Sequence, residues 1–431
     1  MNDPIYASLF KYAQPYKVDS LLILTENNPD IPDVFKQILI ITNSFDVFLE
    51  KKSQGFNIEV SDFDFSKIAD ASLSQIILRV PKSKSMCLYI LNECARILKT
   101  EGRLLIAGAN SEGIVTTFKH ASTCIGRLEK HSLEGAGIRF GCILKTSTPN
   151  IENKLDDKNY AVLRLISPKI LHKCADNFPL LKLYIDDLKL FTKPGLYGFD
   201  KIDAGSAFLM ETMAALILKE YKKEDEKENE KCINNDNRLL ELISYCSNNI
   251  KVLDLGCGDG FLSLILIKII KQYQQKNIKT TAYKADQITA LSSPEPSPME
   301  LSSIELSPID LSATDSNAAA ILVCQHNFSV NKIKARVFQD DCGKSLSANN
   351  FDLILCNPPF HEGFKTSLEL SIKFINQIKC LLNKDKSVNA QAWIVVNKFL
   401  KFEQLAQDIG LDTKIITQND KFKVLVLIKK H

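Results

Sequence analysis

The segment VLDLGCGDG at residues 252–260 has the residue types of a ligand-binding loop. Asp254 ends an apolar run, and Gly256, Gly258 and Gly260 alternate after it. Glycine tolerates positive φ angles and lets a backbone approach a ligand closely. Open α/β sheets bind ligands at the carboxyl ends of their strands, where this loop is expected to lie. The dinucleotide fingerprint G-x-G-x-x-G would need glycine at position 261, which is phenylalanine. We therefore predict a ligand-binding loop of another kind, with a structural tight turn as the alternative.

A second candidate site is the turn Asn357-Pro358-Pro359-Phe360, which follows an apolar run at 351–356. The two prolines fix φ and make the turn extended and rigid. An exocyclic amine on a base is a poor nucleophile, because its lone pair is delocalised into the ring. The amide oxygen of Asn357 and the carbonyl oxygen of Pro358 can accept its two N–H bonds and turn the lone pair toward an electrophile. Phe360 can hold an unstacked base flat. A purely structural proline turn is the alternative.

Both segments resemble motifs of known methyltransferases. The glycine loop is similar to the D-x-G-x-G-x-G loop of class I S-adenosylmethionine-dependent methyltransferases. The turn is similar to the N-P-P-[YF] motif of those that act on planar nitrogen. The resemblance implies S-adenosyl-L-methionine as the cofactor, contacted by Asp254, Cys257, the three glycines and Asn357. It also implies that Asn357 and the three residues after it are catalytic.

Acidic residues after the next two predicted strands are candidates for the rest of the cofactor site. Folds of this kind place an acid at the end of the second strand, where it accepts hydrogen bonds from ribose hydroxyls. Asp315 is the first candidate for this position, and Asp286 is the alternative. At a third position, Asp340 or Asp341 can accept a hydrogen bond from the adenine amino group, and Asp341 is preferred.

Apolar runs and helical patterns alternate along the chain, which is typical of an α/β fold with a mostly parallel sheet. In the C-terminal half, strands are predicted at 250–255, 351–356, 392–396 and 422–428, and helices at 261–273 and 367–382. The N-terminal half repeats this layout, with strands at 20–25, 75–80 and 103–107 and a helix at 88–98. We therefore predict two tandem Rossmann-like domains that arose by internal duplication. A general likeness between α/β domains is the alternative.

We expect a first domain at residues 1–190 and a second at 191–431. Two segments of the second domain are predicted to be insertions, a charged one at about 219–237 and a Ser/Pro-rich one at about 284–310. The prolines exclude a helix or a central strand, and the Ser/Pro-rich composition is typical of a disordered loop. This insertion accounts for the distance between the glycine loop and Asp315, about 40 residues longer than the usual spacing of about 20.

The composition excludes several classes of protein. The 431 residues are 45% apolar and 24% charged, as in ordinary soluble domains, and the formal charge of +3 excludes a strongly basic nucleic-acid tail. No run approaches 18 apolar residues, so no membrane-spanning helix is expected. The first residues lack a signal-peptide pattern, and the twelve cysteines include no C-x-x-C pair. We therefore expect reduced thiols, a cytoplasmic protein and no metal site.

Longer segments resemble the RsmC family, bacterial methyltransferases that modify guanine N2 in small-subunit (16S) ribosomal RNA. These segments are 193–213, 351–370, 397–403 and 420–430. The family has two duplicated methyltransferase folds, of which only the C-terminal one keeps the motifs. Residues 20–30 and 80–83 fit that pattern, because they lack the glycines and the Asn-Pro-Pro of the other half. The N-terminal domain would then be degenerate and serve RNA recognition or structural support.

The resemblance also bears on partners and substrate contacts. It implies ribosomal RNA as the partner, within the small ribosomal subunit, and we expect a monomer with no membrane association. Tyr197 lies at the aromatic position of the 193–213 segment, and His361 follows the catalytic turn. Both are candidates for substrate binding, with a structural role as the alternative for His361. Lysines near the C-terminus suit phosphate contacts, or else form an ordinary solvated surface: Lys398, Lys401, Lys414, Lys421, Lys423, Lys429 and Lys430.

The sequence leaves other functions open. A sister family that acts on large-subunit ribosomal RNA shares the NPPF motif, so the choice of subunit rests on overall resemblance. An adenine N6 amine or a protein glutamine amide would suit the same catalytic turn. A non-catalytic RNA-binding assembly factor is the alternative from another class, and it predicts no cofactor binding.

Overall fold

The computed structural model describes residues 3–14, 19–25, 28–135, 137–146, 153–222, 238–245, 249–289, 309–359, 364–385 and 388–430. The chain divides into two compact units. The first unit comprises residues up to 164 together with 192–199 and 316–322, and the second unit comprises the rest. The domain boundary after residue 190 stays a prediction. Most of both predicted insertions, at 223–237 and 290–308, lies outside the described residues.

The first unit is built on a seven-stranded sheet. Its strands are β1 (Ser20–Leu24), β2 (Leu39–Thr42), β3 (Ile58–Val60), β4 (Leu73–Arg79), β5 (Leu98–Ala109), β6 (Gly126–Leu133) and β7 (Ile138–Lys145). Its helices are α1 (Pro4–Tyr12), α2 (Phe45–Ser53), α3 (Lys84–Ile97) and α4 (Ile114–Cys124). The strand order is β3-β2-β1-β4-β5-β7-β6. The first five strands pair in parallel, and the last two form an antiparallel edge.

Short elements follow in the chain before the second sheet. They are β8 (Arg164–Leu165), α5 (Pro168–Asn177), α6 (Lys182–Ile185) and β9 (Phe191–Thr192). The two strands form a small sheet of their own.

The second unit is built on another seven-stranded sheet. Its strands are β10 (Ile250–Leu255), β11 (Ile309–Asp315), β12 (Arg336–Gln339), β13 (Leu353–Cys356), β14 (Gln391–Asn397), β15 (Leu411–Gln418) and β16 (Phe422–Lys429). The helices from residue 200 onward are α7 (Ala204–Lys222), α8 (Arg238–Tyr245), α9 (Phe261–Thr289), α10 (Ala318–Val330), α11 (Phe364–Leu381) and α12 (Phe402–Ile409). The strand order is β12-β11-β10-β13-β14-β16-β15.

The two sheets have the same topology. In each, the first strand in sequence lies between the second and the fourth, the third lies at one edge, and the last two strands pair in antiparallel order at the other edge. Seven strands in the same order with the same directions support a duplicated fold far more strongly than a general likeness of α/β domains. The predicted fold class, two tandem Rossmann-like domains, is confirmed.

Burial explains why the central strands were predictable. All but one residue of β10 are buried, as are all four of β13 and the first six of β14. Strands covered on both faces have near-continuous apolar sequences. In the second unit, one face of the sheet packs against apolar residues of α11 and α12, and α7 contacts β14 and β16.

Helix ends differ from the predictions. α3 begins at Lys84, four residues before the predicted start, because the Ser83 hydroxyl caps it by accepting a hydrogen bond from the Met86 N–H at 3.4 Å. α9 continues to Thr289 rather than ending near residue 273. Its later turns are polar and contain no proline, so the apolar periodicity on which the prediction depended ends before the helix does.

Three predicted properties concern the described part of the chain as a whole. No helix there is long and apolar enough to cross a membrane. The ten cysteines described are all free thiols, eight of them buried, whereas Cys380 is exposed. No group of three or more His, Cys, Asp or Glu side chains in those residues could hold a metal ion, and the absence of a metal stays a prediction.

Candidate active site

The glycine loop follows β10 at the carboxyl end of the sheet in the second unit. Gly256, Gly258 and Gly260 all have positive φ, at 79°, 55° and 83°. A Cβ atom at Gly260 would lie 2.8 Å from Cε1 of Phe328, so a larger residue would collide there. At Gly258 a Cβ atom would meet no described atom within 4 Å. The loop therefore packs tightly at one glycine and opens on free space at another, as a ligand cradle requires.

Asp254 lies behind this loop and is fully buried. Its Oδ2 accepts hydrogen bonds from the Ser263 hydroxyl at 2.7 Å and the Ser263 N–H at 3.3 Å. Its Oδ1 is buried with no hydrogen-bond partner among the described residues. Burial raises the pKa of Asp254 to about 7, with smaller contributions from Asp259 and Asp315, against the lowering effect of Ser263. An unsatisfied carboxylate oxygen beside an open glycine loop fits a cofactor with a cationic amino group.

Asp315 is the last residue of β11, which pairs in parallel with β10. Its Oδ2 accepts a hydrogen bond from the Gly258 N–H at 3.0 Å, so the acid and the glycine loop lie side by side. The competing candidate, Asp286, lies inside helix α9. The arrangement supports Asp315 as the ribose-binding acid, and that role stays a prediction.

Asp340 and Asp341 follow β12 and differ in their partners. Asp340 is buried, and its Oδ2 accepts hydrogen bonds from the Ser345 N–H, at 3.1 Å, and the Ser345 hydroxyl. Its Oδ1 has no partner in the described part of the chain. Both oxygens of Asp341 instead contact lysines, Lys344 and Lys373. Burial opposes these lysines, but they hold the pKa of Asp341 below its ordinary value. The preference for Asp341 as the adenine-binding acid stays a prediction. The contacts favour Asp340 instead, because one of its oxygens has no described partner.

Cys257 of the same loop is buried. A hydrogen bond with Cys324 and burial raise the pKa of its thiol well above the ordinary value, so the thiol stays protonated. Its backbone N–H donates to the Thr314 carbonyl oxygen at 2.9 Å. This bond ties the loop to β11, and a cofactor contact by Cys257 stays a prediction.

Asn357 follows β13, the strand next to β10 on the side away from β11. Its Nδ2 donates hydrogen bonds to Oδ2 of Asp203 at 2.7 Å and to Oγ of Ser206 at 2.9 Å. A carboxylate can only accept hydrogen bonds, so the amide group facing Asp203 must be the NH₂. This interaction leaves the carbonyl oxygen of Asn357 as the amide atom that can accept a further hydrogen bond, and its contact with a substrate amine stays a prediction.

The two partners of Asn357 lie at the start of α7. Asp203 precedes the helix, and its Oδ2 also accepts the Ser206 N–H at 2.8 Å, as an N-cap does. A Cβ atom at Gly205 would lie 3.1 Å from Oδ2 of Asp203, 3.3 Å from Cε1 of Phe422 and 3.6 Å from Nδ2 of Asn357. A side chain at position 205 would therefore crowd Asp203 and Phe422. Sequence reasoning did not assign Asp203, Gly205 or Ser206 to the site, although all three belong to the 193–213 segment that resembles the family.

The other predicted site residues have separate outcomes. Pro358 is buried and Pro359 is exposed, directly after Asn357. Phe360 and His361 lie outside the described residues. Tyr197 belongs to the first unit and is 62% exposed. The catalytic and substrate-binding roles of all five stay predictions.

In the first unit, the corresponding edge of the sheet is closed by the chain's own side chains. Asp62 lies two residues after β3, as Asp341 lies two residues after β12. The Tyr160 hydroxyl donates to Oδ1 of Asp62 at 2.9 Å, and the buried Lys193 ammonium forms an ion pair with Oδ2. The same ammonium lies 4.1 Å from the centre of the Tyr160 ring. In the first unit, a lysine and a tyrosine therefore cover the acid that corresponds in position to Asp341, so both of its oxygens are already paired.

Two family models match the chain, one in each half. The "Methyltransferase small domain" model matches residues 301–426, and the "Methyltransferase small domain N-terminal" model matches residues 9–132. Curated relatives named Ribosomal RNA small subunit methyltransferase C, from Hamiltonella defensa and Shewanella pealeana, are 23% and 24% identical. These matches cover 81% and 84% of this chain and 75% and 79% of the relatives. Over most of its length, the chain is similar to the RsmC family.

A solved member of the RsmC family has the same fold. It is the T. thermophilus 16S rRNA N2 methyltransferase RsmC, in complex with AdoMet and guanosine. The match has a TM-score of 0.68 at 19% identity and covers 99% of this chain and 92% of that one. The duplicated architecture is thus shared with an RsmC-family enzyme despite low sequence identity.

The raised pKa of Asp254 predicts a pH dependence of stability. The folded protein holds a proton on this carboxyl up to about pH 7, whereas the unfolded chain releases it near the ordinary value of 3.8. Its stabilising contribution is therefore present below about pH 4 and is lost as pH rises through 7, by up to about 1.4 kcal/mol per pH unit. Thermal unfolding of the cofactor-free protein between pH 5 and pH 8 should show a smaller fall in stability for Asp254→Asn than for wild type. If stability falls by the same amount with pH in both proteins, the raised pKa of Asp254 is not the cause of the fall.

The contacts of Asn357 predict that Asp203 and Ser206 act by orienting its amide. Asp203→Asn keeps a capping side chain but loses the charged acceptor, so we expect kcat to fall about 10- to 100-fold. Ser206→Ala removes a neutral hydrogen bond, and we expect a fall of about 2- to 10-fold. Steady-state methylation assays measure both changes. The affinity for S-adenosylhomocysteine, measured by calorimetry, should match wild type, and a wild-type kcat in Asp203→Asn would refute the orienting role.

Proposed function

We propose that this protein transfers a methyl group from S-adenosylmethionine to the exocyclic N2 amine of a guanosine in small-subunit ribosomal RNA. The observation that carries the proposal is the Asn357 amide, whose NH₂ is held by Asp203 and Ser206 so that its carbonyl oxygen is available to a substrate amine. The choice of substrate follows the names of the relatives, which describe methyltransferases of small-subunit ribosomal RNA.

The chain's own residues supply binding and orientation for this reaction. When bound, S-adenosylmethionine supplies an electrophilic methyl group on its sulfonium sulfur. The open space at Gly258, with Asp315 and the free oxygen of Asp254 next to the loop, would hold it. Asn357 Oδ1 and the Pro358 carbonyl oxygen would accept the two N–H groups of guanine N2. This interaction turns the nitrogen lone pair out of conjugation, and the amine loses one proton to solvent after attack.

The partner and the location follow from this substrate. We propose that the protein acts in the cytoplasm on RNA of the small ribosomal subunit, as a monomer and without a metal. The first unit would support the catalytic unit or contribute RNA contacts, since its own cofactor edge is filled by Lys193 and Tyr160.

The test is methylation of small ribosomal subunits from cells that lack this gene. With cofactor labelled in the methyl group, we expect label in 16S RNA, at N2 of one guanosine by mass mapping. Subunits from wild-type cells, already methylated, are the control and should accept no label. Label in large-subunit RNA, on adenine or on a glutamine amide would refute the proposed target. No label in any substrate, with no calorimetric binding of S-adenosylhomocysteine, would favour the non-catalytic assembly factor.

A further inference from the structure

The turn after β14 presents an aromatic ring to solvent. Phe399 is 81% exposed, the highest value among the large hydrophobic side chains of the described residues. A single exposed hydrophobic residue is ordinary on a protein surface. The surroundings of Phe399 set it apart, because its backbone is held in place, it lies at the catalytic edge of the sheet, and lysines flank it.

Hydrogen bonds hold the turn in a defined shape. Oδ1 of Asn397 accepts the Phe399 N–H at 3.0 Å, and the Asn397 carbonyl oxygen accepts the Leu400 N–H at 3.1 Å. The Lys398 N–H donates to the carbonyl oxygen of Lys421 at 2.8 Å, which joins this turn to the one before β16. The ring is thus presented from a hydrogen-bonded backbone, and not from a loose loop.

The strand register places this turn beside the catalytic asparagine. β13 and β14 are parallel neighbours, with Cys356 opposite Ile394, so Asn357 is level with Val395. Phe399 follows Val395 by four residues, which is at most about 13 Å of chain at about 3.3 Å per residue. A nucleotide next to one bound at Asn357 would lie within a similar distance.

Lysines lie near Phe399 in the chain, at positions 398 and 401, and in the neighbouring turn, at position 421. Lys398, Lys401 and Lys421 form no ion pair among the described residues, whereas Lys423 is paired with Glu403 at 2.5 Å. Asp420 is the acidic residue in the same group of turns. An exposed aromatic ring on a turn that also carries lysines has the chemistry of single-stranded nucleic-acid binding, in which bases stack on rings and phosphates pair with cations.

We propose that Phe399 is a stacking platform for an unpaired nucleotide next to the target guanosine, with Lys398, Lys401 and Lys421 contacting the adjoining phosphates. This inference rests on the proposed function and adds a second base contact to it. The occupant is single-stranded RNA, exposed in the substrate when the target base leaves its stack.

Binding of a short RNA tests the platform. The probe is a fluorescein-labelled single-stranded RNA of twelve nucleotides that copies the sequence around the mapped guanosine, with affinity measured by anisotropy. We expect Phe399→Ala to weaken binding by about 5- to 150-fold at every salt concentration, and Phe399→Trp to restore it. Leu183→Ala, which removes a 58% exposed side chain elsewhere in the same unit, is the matched control and should bind as wild type. Replacing each lysine with alanine should reduce the salt-dependence slope by about 0.7.

The outcomes separate this inference from the proposed function. KM for unmethylated RNA should rise in Phe399→Ala while the affinity for S-adenosylhomocysteine stays at the wild-type value. Wild-type RNA affinity and KM in Phe399→Ala, in a protein whose wild type methylates RNA, would overturn the platform alone. Normal RNA binding with slow methylation of whole subunits would assign Phe399 to a protein contact and would also overturn it. A wild-type protein that neither binds nor methylates RNA would refute the proposed function itself.

Discussion

Replacing Asn357 with alanine is expected to lower kcat for methyl transfer by about 10² to 10³. In the proposed reaction, the carbonyl oxygen of Asn357 accepts a hydrogen bond from the substrate amine, because Asp203 and Ser206 hold the NH₂. Removal of one preorganised hydrogen-bonding group at a reacting centre typically costs a factor of this size. Single-turnover assays with labelled cofactor measure the loss, and calorimetry with S-adenosylhomocysteine reports the cofactor site separately.

A matched control for this variant exists in the same unit. The Asn383 Nδ2 donates to Oδ1 of Asp352 at 2.8 Å, an asparagine–aspartate contact like that of Asn357, but at the amino end of β13. Asn383→Ala should keep the wild-type kcat. If Asn357→Ala retains wild-type activity while Asn383→Ala is also active, Asn357 does not take part in the reaction.

Replacing Lys193 with methionine is expected to lower the free energy of unfolding of the first unit by about 3–5 kcal/mol. Lys193 and Asp62 form a buried ion pair, with side chains 2% and 8% exposed. Burial raises the pKa of Asp62 even though Lys193 and the Tyr160 hydroxyl lower it. Without the lysine, the carboxylate would lose its counter-charge while remaining buried, which is the costly way to break such a pair.

Two spectroscopic signals distinguish the units during unfolding in urea. The single tryptophan, Trp393, is fully buried in β14, so its fluorescence reports on the second unit. Far-ultraviolet circular dichroism reports on both. We expect Lys193→Met to shift part of the circular dichroism transition to lower urea, and Asp62→Asn in the same chain to recover most of the loss.

An exposed ion pair in the same unit is the control for that loss. Lys158 and Asp156 form a pair with side chains 64% and 70% exposed. Lys158→Met should change stability by no more than about 1 kcal/mol. If Lys193→Met and Lys158→Met lower the free energy of unfolding equally, the buried pair stabilises the first unit no more than an exposed pair does.

Local patterns predicted much of the fold and of the loop. β10 was predicted at 250–255 and runs from Ile250 to Leu255, since a strand buried on both faces is apolar throughout. The residue type at 256, 258 and 260 permits positive φ angles, and all three glycines adopt them. The end of α9 was missed because its later turns are polar and carry no apolar period.

The sequence by itself determined the fold class, the glycine loop and the Asn-Pro-Pro turn, because each depends on residues close together in the chain. Only the tertiary structure decided how the Asn357 amide is oriented, since its partner Asp203 lies 154 residues away. The same holds for Lys193, which closes the cofactor edge of the first unit from 131 residues beyond Asp62. Residue spacing encodes backbone conformation and burial, whereas contacts of this kind depend on where the chain's topology brings distant segments together.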